Sequence, residues 1–518
     1  MLFNFVNTKT KKYANMKSTF YFTLGLLMAS TTIQAQKLRF PEQNAINVNP
    51  DTHLVLTFDS APAIGNKGFI RVFETGTNKQ IDCLDLSIPA GPTQGQSNAG
   101  AIYTPVPYEY KETNSTNANT IPGTPSGMNK RDTSDYQLNI IGHFTDGFHF
   151  YPVIAHGNTA TIYLHNNLLE YGKSYYVTID KEAVSAAGFK GFTKKNAWRF
   201  ATKESGPDKD LHKFVVSADG TADFNTVQGA LDYIPDFNPQ SLAPSIKENG
   251  GWKIFVKNGN YEEIVYLRNK RFVNIEGESR DGVLIHYANN EVFNPHPADI
   301  KTNELPGTFP SRRAAFMSDN GYGIELVNLT IQTDLKGQAE GLLMTGEENH
   351  LKNVHVIGSG DALQINGSTY LENCIIDGDG DTVLGRGPAF FKDCALSSYG
   401  AFMWIRNTNK NHGNVFVNCT FKGKGSDAVI ARSPANKGKG YPYAEAVLLN
   451  CTLENVPSAG WGIIEGETND VHFWEYNSRT VDGKEVDYSH RNRASRQLDK
   501  EKDARIIEWY SNPTYVLK

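Results

Sequence analysis

The sequence predicts an all-β protein: a right-handed parallel β-helix (a solenoid) preceded by an immunoglobulin-like β-sandwich. Three observations carry this. In the second half, an apolar-alternating hexad recurs, and its Asn or Asp landmarks from Asn328 onward are spaced by 25, 20, 20, 25 and 32 residues. Such a period, with Gly-rich turns and no helical pattern between units, is that of a coil-per-repeat solenoid. In the first half, short alternating strands such as Leu54–Phe58 alternate with Gly, Pro and Asn clusters. The whole chain of 518 residues is 39% hydrophobic and 11% aromatic, which supports a large core and excludes a disordered chain. A net charge of −5, without a dense basic tract after residue 20, excludes a nucleic-acid role.

In chain order, residues 1–35 read as a targeting segment. They hold four Lys and no acid, with an apolar stretch from Phe20 to Ala29 and small or polar residues to Ala35. That is the layout of a secretory signal with cleavage after Ala35, placing the mature protein in the periplasm, at the cell surface or outside. The alternative is a short membrane anchor, for which the apolar stretch is short of the ~20 residues of a span. Residues 36–205 form the sandwich, with a Pro-, Gly-, Ser- and Asn-rich insert near 88–135. No chemical constellation converges there, so the sandwich reads as a spacer or docking module, with carbohydrate binding as the other reading.

Residues 206–518 form the solenoid. Val227, Ala230, Leu231 and Ile234 have helical spacing and suit a helix over the first coil, and 488–510 suit a helix over the last. The repeat landmarks are Asn274, Asn328, Asn353, Asn373, Asp393, Asn418 and Asn450. Cys374, Cys394, Cys419 and Cys451 each follow a landmark, which predicts a buried ladder of free thiols rather than disulfides. The repeat also places chemistry. Asp361 and Asp381 lie 20 residues apart, each twelve residues before a landmark, so they occupy stacked positions on neighbouring coils. Two carboxyls one strand spacing apart (~4.8 Å) resist joint ionisation, which supplies a base or nucleophile beside a proton donor. The competing readings are two turn aspartates or a Ca²⁺ site in the GDGDG cluster, although no full EF-hand loop follows.

Several blocks together resemble the pectin methylesterase (pectinesterase) family: DGTADFNTVQGALDYIP at 219–235, WKIFVKNGNYEE at 252–263, GESRDGVLIHY at 277–287, the block 338–363, GDTVLG at 380–385, ARSP at 431–434, GW at 460–461 and FWEYNS at 473–478. The resemblance implies a parallel β-helix that hydrolyses the methyl esters of pectin (methylated homogalacturonan), with no metal or organic cofactor, as a monomer. It places Asp381 at the nucleophile, Asp361 at the general acid/base, Gln338 at one of two oxyanion glutamines and Arg432 at the arginine that holds the nucleophile. Trp461 and Trp404 are expected as walls of a sugar groove. The second oxyanion glutamine is replaced by Gly360, with Gln364 or a backbone N–H as the expected substitute. The aromatic positions of the nucleophile block are Thr382 and Leu384, and the Trp after the arginine is missing. These departures leave room for an altered substrate or an inactive homologue. The same carboxylate pair also suits a retaining glycosidase, and a non-catalytic polysaccharide-binding protein is the third reading.

Overall fold

A computed structural model describes residues 36–91, 102–103, 136–142, 147–237, 250–294, 312–435, 440–464, 466 and 469–518. The expected signal, 1–35, and most of the expected insert lie outside the described residues. Ala35–Lys518 is one compact unit.

Beside two short ribbons, Ala63–Ile64 paired with Val184–Ser185 and Leu138–Ile140 paired with Gly147–His149, the N-terminal part is two facing five-stranded sheets. One orders Gln36–Phe40, Leu54–Phe58, Thr159–Ile162, Val153–His156 and Ile102–Tyr103; the other orders Ala45–Val48, Arg199–Thr202, Ser174–Ile179, Phe69–Glu74 and Gln80–Asp85. Alternation decides which side chains enter the core. Leu54, Leu56 and Phe58 are fully buried while Val55 and Thr57 are not, as the period-two pattern requires.

The remainder is a parallel β-helix. Its three faces are sheets of eleven, nine and six strands, in which each strand pairs in parallel with its equivalent on the next coil. The inward ladders stack apolar on apolar. Leu351, Leu371, Phe391, Phe416 and Leu448 form one inward column, and Ile331, Val356, Ile376, Leu396, Phe421 and Leu453 another. Phe391 and Phe416 stack with centroids 4.4 Å apart. A buried Phe of this kind contributes about 3–5 kcal/mol relative to Ala.

The landmark Asn and Asp residues mark the corner between the eleven- and nine-stranded sheets. Asn328, Asn353, Asn373, Asp393, Asn418 and Asn450 all take φ between 52° and 57°. Asn and Asp are the non-glycine residues that best tolerate this left-handed conformation. Their side chains also bond along the corner: Asn353 Nδ2 donates to Asn328 Oδ1 at 2.8 Å. Asn274 does not belong to the column. It lies within the strand Val273–Gly277, pairs with Glu325, and its Nδ2 donates to Glu325 Oε2 at 2.6 Å. The hexad containing it is offset by three residues, and Gly277 is what packs beneath Asn328.

The first-coil helix is present as Val227–Tyr233, capped by Thr226, whose hydroxyl accepts from Gly229 N. The expected long helix over 488–510 is not. In its place are a 3-10 turn at Tyr488–His490, a strand at Arg496–Gln497 that extends the eleven-stranded sheet, and short helices at Ala504–Tyr510 and Pro513–Val516. Tyr510 and Val516 pack with Phe390, Val415 and Val447, on the outer face of that sheet. The apolar residues of 504–516 cover this outward apolar column, a demand the repeat pattern alone does not reveal.

Cys374, Cys394, Cys419 and Cys451 are free and buried in the solenoid core, while Cys83 is half-buried in the sandwich. Burial pushes the Cys419 thiol well above its ordinary range. Thiol labelling of the native protein is expected to modify Cys83 first, with the four ladder thiols titrating only after unfolding without reductant. Recovery of fewer than four of them would show disulfide pairing.

Candidate active site

The site is built on three stacked turns, 337–340, 358–361 and 378–381, each leading into a strand of the six-stranded sheet. Ala339 and Ser359 exchange backbone hydrogen bonds at 2.9 Å in both directions. Ser359 Oγ donates to Asp379 Oδ2 at 2.8 Å, and Gly337 N donates to Ser359 Oγ at 3.3 Å. The turns are thus tied to one another as well as to the sheet. Leu363 pairs with Val383 in the strands that follow, so Asp361 and Asp381, each two residues upstream, hold the same place on consecutive coils.

Their partners differ. Arg432 Nη1 donates to Asp381 Oδ2 at 2.7 Å. Asp381 sits at φ 46°, a left-handed conformation that Asp tolerates and that cost of order 1–3 kcal/mol in strained sites. Asp361 is 7% exposed and accepts from Arg313 Nη2 at 2.6 Å. Arg313 is also bonded by Nε to both Glu340 carboxylate oxygens, at 2.8 and 2.7 Å, and by Nη1 to Glu291 at 3.3 Å. One guanidinium therefore serves three carboxylates. Burial raises Asp361 to about 7, with Arg313 opposing and Glu340 and Asp381 reinforcing. Burial also raises Asp381, but Arg432 pulls it back in charge and in hydrogen bonding. Burial thus raises both carboxyls, Asp361 to about 7, while Asp381 has an arginine of its own that favours its charged form.

The other expected site residues fall in three places. Gln338 is exposed at the rim, beside Gly360: a Cβ added at Gly360 would lie 3.6 Å from Gln338 Cα. Trp404 is partly exposed, with the guanidinium carbons of Arg406 and Arg432 each 4.5 Å from its ring centroid. Trp461 does not line a groove. It is 1% exposed, stacks on Phe473 at 4.8 Å and donates from Nε1 to Glu475 at 2.8 Å, so it is a core residue that supports the 460–462 segment against Arg432. Gln364 is fully buried between Leu343 and Leu384 on the sheet, so it is not placed to touch substrate or replace the missing glutamine.

Sequence reasoning missed Arg313, Glu340 and Arg406. Arg313 follows 295–311, outside the described residues, and belongs to no matched block; the only available signal was that a buried carboxylate pair requires more than one cation. Arg406 is 6% exposed, and its charge acts on both Asp361 and Asp381.

Among the described residues, Glu262, His286 and Asp334 form a group whose donor atoms lie within 4.8 Å and could hold a metal ion. They are engaged with protein partners: His286 Nδ1 lies 2.5 Å from Asp334, Gln332 donates to Asp334, and Tyr163 and His156 bind Glu262. Glu262 and His286 lie on the nine-stranded sheet, apart from the aspartate pair.

Gly360 has φ +71°, and a Cβ there would meet Gly337 O at 2.9 Å. Restoring a glutamine side chain therefore strains the turn. Gly360→Gln is expected to destabilise the protein by about 1–3 kcal/mol, read as a lowered Tm, and to lower rather than raise turnover. An unchanged Tm with a faster rate would show that the turn tolerates the side chain and lacks only a donor.

Several solved structures resemble this chain. The solved pectin methylesterases of carrot, of Erwinia chrysanthemi (PemA) and of Yersinia enterocolitica are similar at 19%, 20% and 21% identity, with TM-scores of 0.44, 0.43 and 0.42. The alignments cover 56%, 59% and 54% of this chain and 89%, 96% and 95% of those chains. No curated protein matches the chain. The family profile described as pectinesterase matches residues 213–506, the whole solenoid and more than half of the sequence, and the chain belongs to the pectinesterase family.

Proposed function

We propose that the protein hydrolyses methyl esters of galacturonate units in pectin, releasing methanol and leaving free carboxylates. Family membership supports the reaction class. The observation that carries the assignment of residues is the asymmetric carboxylate pair: Asp381 on Arg432, and Asp361 buried and raised to about 7.

The chemistry follows from that asymmetry. An ionised Asp381 oxygen attacks the ester carbonyl carbon, and Arg432 keeps it charged and oriented. The carbonyl oxygen becomes an oxyanion, with Gln338 at the rim as its side-chain donor. The C–O bond to the methoxy group breaks, and Asp361 gives its proton to the departing oxygen, so methanol leaves as a neutral molecule. The acyl group is now joined to Asp381 as an anhydride. Asp361, deprotonated, takes a proton from water, whose oxygen attacks the acyl carbon. This restores Asp381 and returns the proton to Asp361. No step requires a metal or organic cofactor. The segment 17–35 supports action outside the cytoplasm, and the chain is proposed to act as a monomer.

Methanol and new reducing ends are to be measured together on methylated pectin. Methanol without reducing ends is the expected result. Reducing ends would indicate glycoside cleavage, and tight binding with neither product would indicate a binding protein. Asp381→Asn is expected to lower turnover by at least ~10³-fold with Tm nearly unchanged; near-normal methanol release would refute the nucleophile assignment. Because Asp361 must hold its proton to release methoxide, kcat/KM is expected to fall as pH rises through about 7. In Asp361→Asn this alkaline limb should vanish along with most of the rate. A limb that persists in the variant would belong to another group.

A further inference from the structure

The outward face of the six-stranded sheet carries one central residue per coil: Tyr266, Met317, Leu343, Gln364, Leu384 and Trp404, each the register partner of the next. On a bare solenoid this column would be the floor of a groove running along the axis. Here five of the six are buried and only Trp404 is partly exposed. Tyr266, Met317 and Leu343 are buried in the same apolar cluster as the sandwich residues Phe148 and Tyr151. Phe148 packs on Tyr266 with centroids 5.3 Å apart, and Tyr151 stacks on Phe293 at 4.6 Å. Tyr151 N donates to the Tyr287 hydroxyl at 2.9 Å, and His149 N donates to Asn294 Oδ1 at 2.8 Å. Gly142 comes so close that an added Cβ would lie 2.4 Å from Tyr266 O. Backbone against backbone leaves no room for a sugar ring, and a desolvated aromatic interface of this kind is a fixed wall rather than a swinging lid.

The aspartate pair adjoins this wall. Leu343, the last floor position in that apolar cluster, is the direct neighbour of Gln364, three residues beyond Asp361, and only one coil spacing (~4.8 Å) separates them. In the other direction Gln364 and Leu384 are buried as well, and partial exposure begins at Asp381, Trp404 and Arg432. Among the described residues, the floor of the groove is therefore exposed on one side of the pair only, at Trp404.

Building on the esterase reading, we propose that the sandwich is an end wall of the substrate groove, so that the reacting galacturonate is the terminal or penultimate unit of its chain. The substrate class is then the ends of pectic chains and short pectic fragments, rather than the interior of long polymers. Remote binding energy, which an interior-acting enzyme draws from both sides, comes here from one side only.

Two measurements on the full-length protein test this. In the first, fully methylated hexagalacturonate is treated briefly and the position of the first lost methyl group is mapped by tandem mass spectrometry. Loss from a terminal or penultimate unit is expected to exceed loss from the inner units by ~10-fold or more; comparable loss from the inner units would overturn the proposal. In the second, affinity for unesterified oligogalacturonates, from dimer to decamer, is measured by calorimetry, which needs no turnover. Affinity is expected to plateau by the tetramer. A continuing rise to the decamer, or no binding at any length, would overturn the proposal. A plateau in a protein that releases no methanol would refute the esterase reading and leave the wall standing.

Discussion

In-register parallel pairing is the constraint on which the rest of the structure depends. A solenoid coil cannot bury its inward face alone; it must stack on its neighbours, and the stacking aligns equivalent backbone positions at one strand spacing. Asp361 and Asp381 inherit their proximity from this. Neither needs a dedicated loop, because the pairing of Leu363 with Val383 already sets them on adjacent coils. The Ser359 bonds to the turns on both sides extend the same register beyond the sheet. The left-handed corner residues keep it by turning every coil at the same point.

Stacking brings like next to like, which suits leucines and cysteines but penalises carboxylates. The site resolves the penalty by giving each aspartate a different cation and a different degree of burial. Arg432 arrives from a later coil and meets the more accessible Asp381. Arg313 arrives from an earlier one and is divided among Glu291, Glu340 and Asp361. A carboxylate that shares its arginine with two others in a desolvated site retains a proton more readily than one with its own. The proposed asymmetry of roles rests on this asymmetry of neighbours, and the Trp404 ring beside both Arg406 and Arg432 links the exposed end of the site to that electrostatic arrangement.

What the sequence made legible was whatever repeats. The solenoid, the first-coil helix, the thiol ladder and the relative places of Asp361, Asp381 and Arg432 follow from a count of residues per coil or from block order. Contacts made sideways, between parts of the chain with no common period, were not legible. Arg313 meets Asp361 across 48 residues that include a segment outside the matched blocks. The docking of the N-terminal part on Tyr266 and Phe293 leaves no trace in a hexad pattern, since an outward apolar residue looks the same whether it faces a sugar or a protein wall. The same ambiguity misplaced Trp461, whose indole suits a groove or a core equally until its neighbours Phe473 and Glu475 are known. Asn274 was misregistered because its hexad resembles the others while its corner residue is not Asn.

The central claim is that coil stacking makes Asp381 the nucleophile and Asp361 the proton donor. The most direct test is to trap the intermediate. Protein turning over methylated pectin is quenched in hydroxylamine, which opens an acyl anhydride at either carbonyl and so leaves a hydroxamate on a fraction of the attacking carboxylate, and the digest is mapped by mass spectrometry. The account predicts a hydroxamate on Asp381, dependent on substrate and absent from Asp381→Asn. A substrate-dependent hydroxamate on Asp361 instead of Asp381 would contradict it.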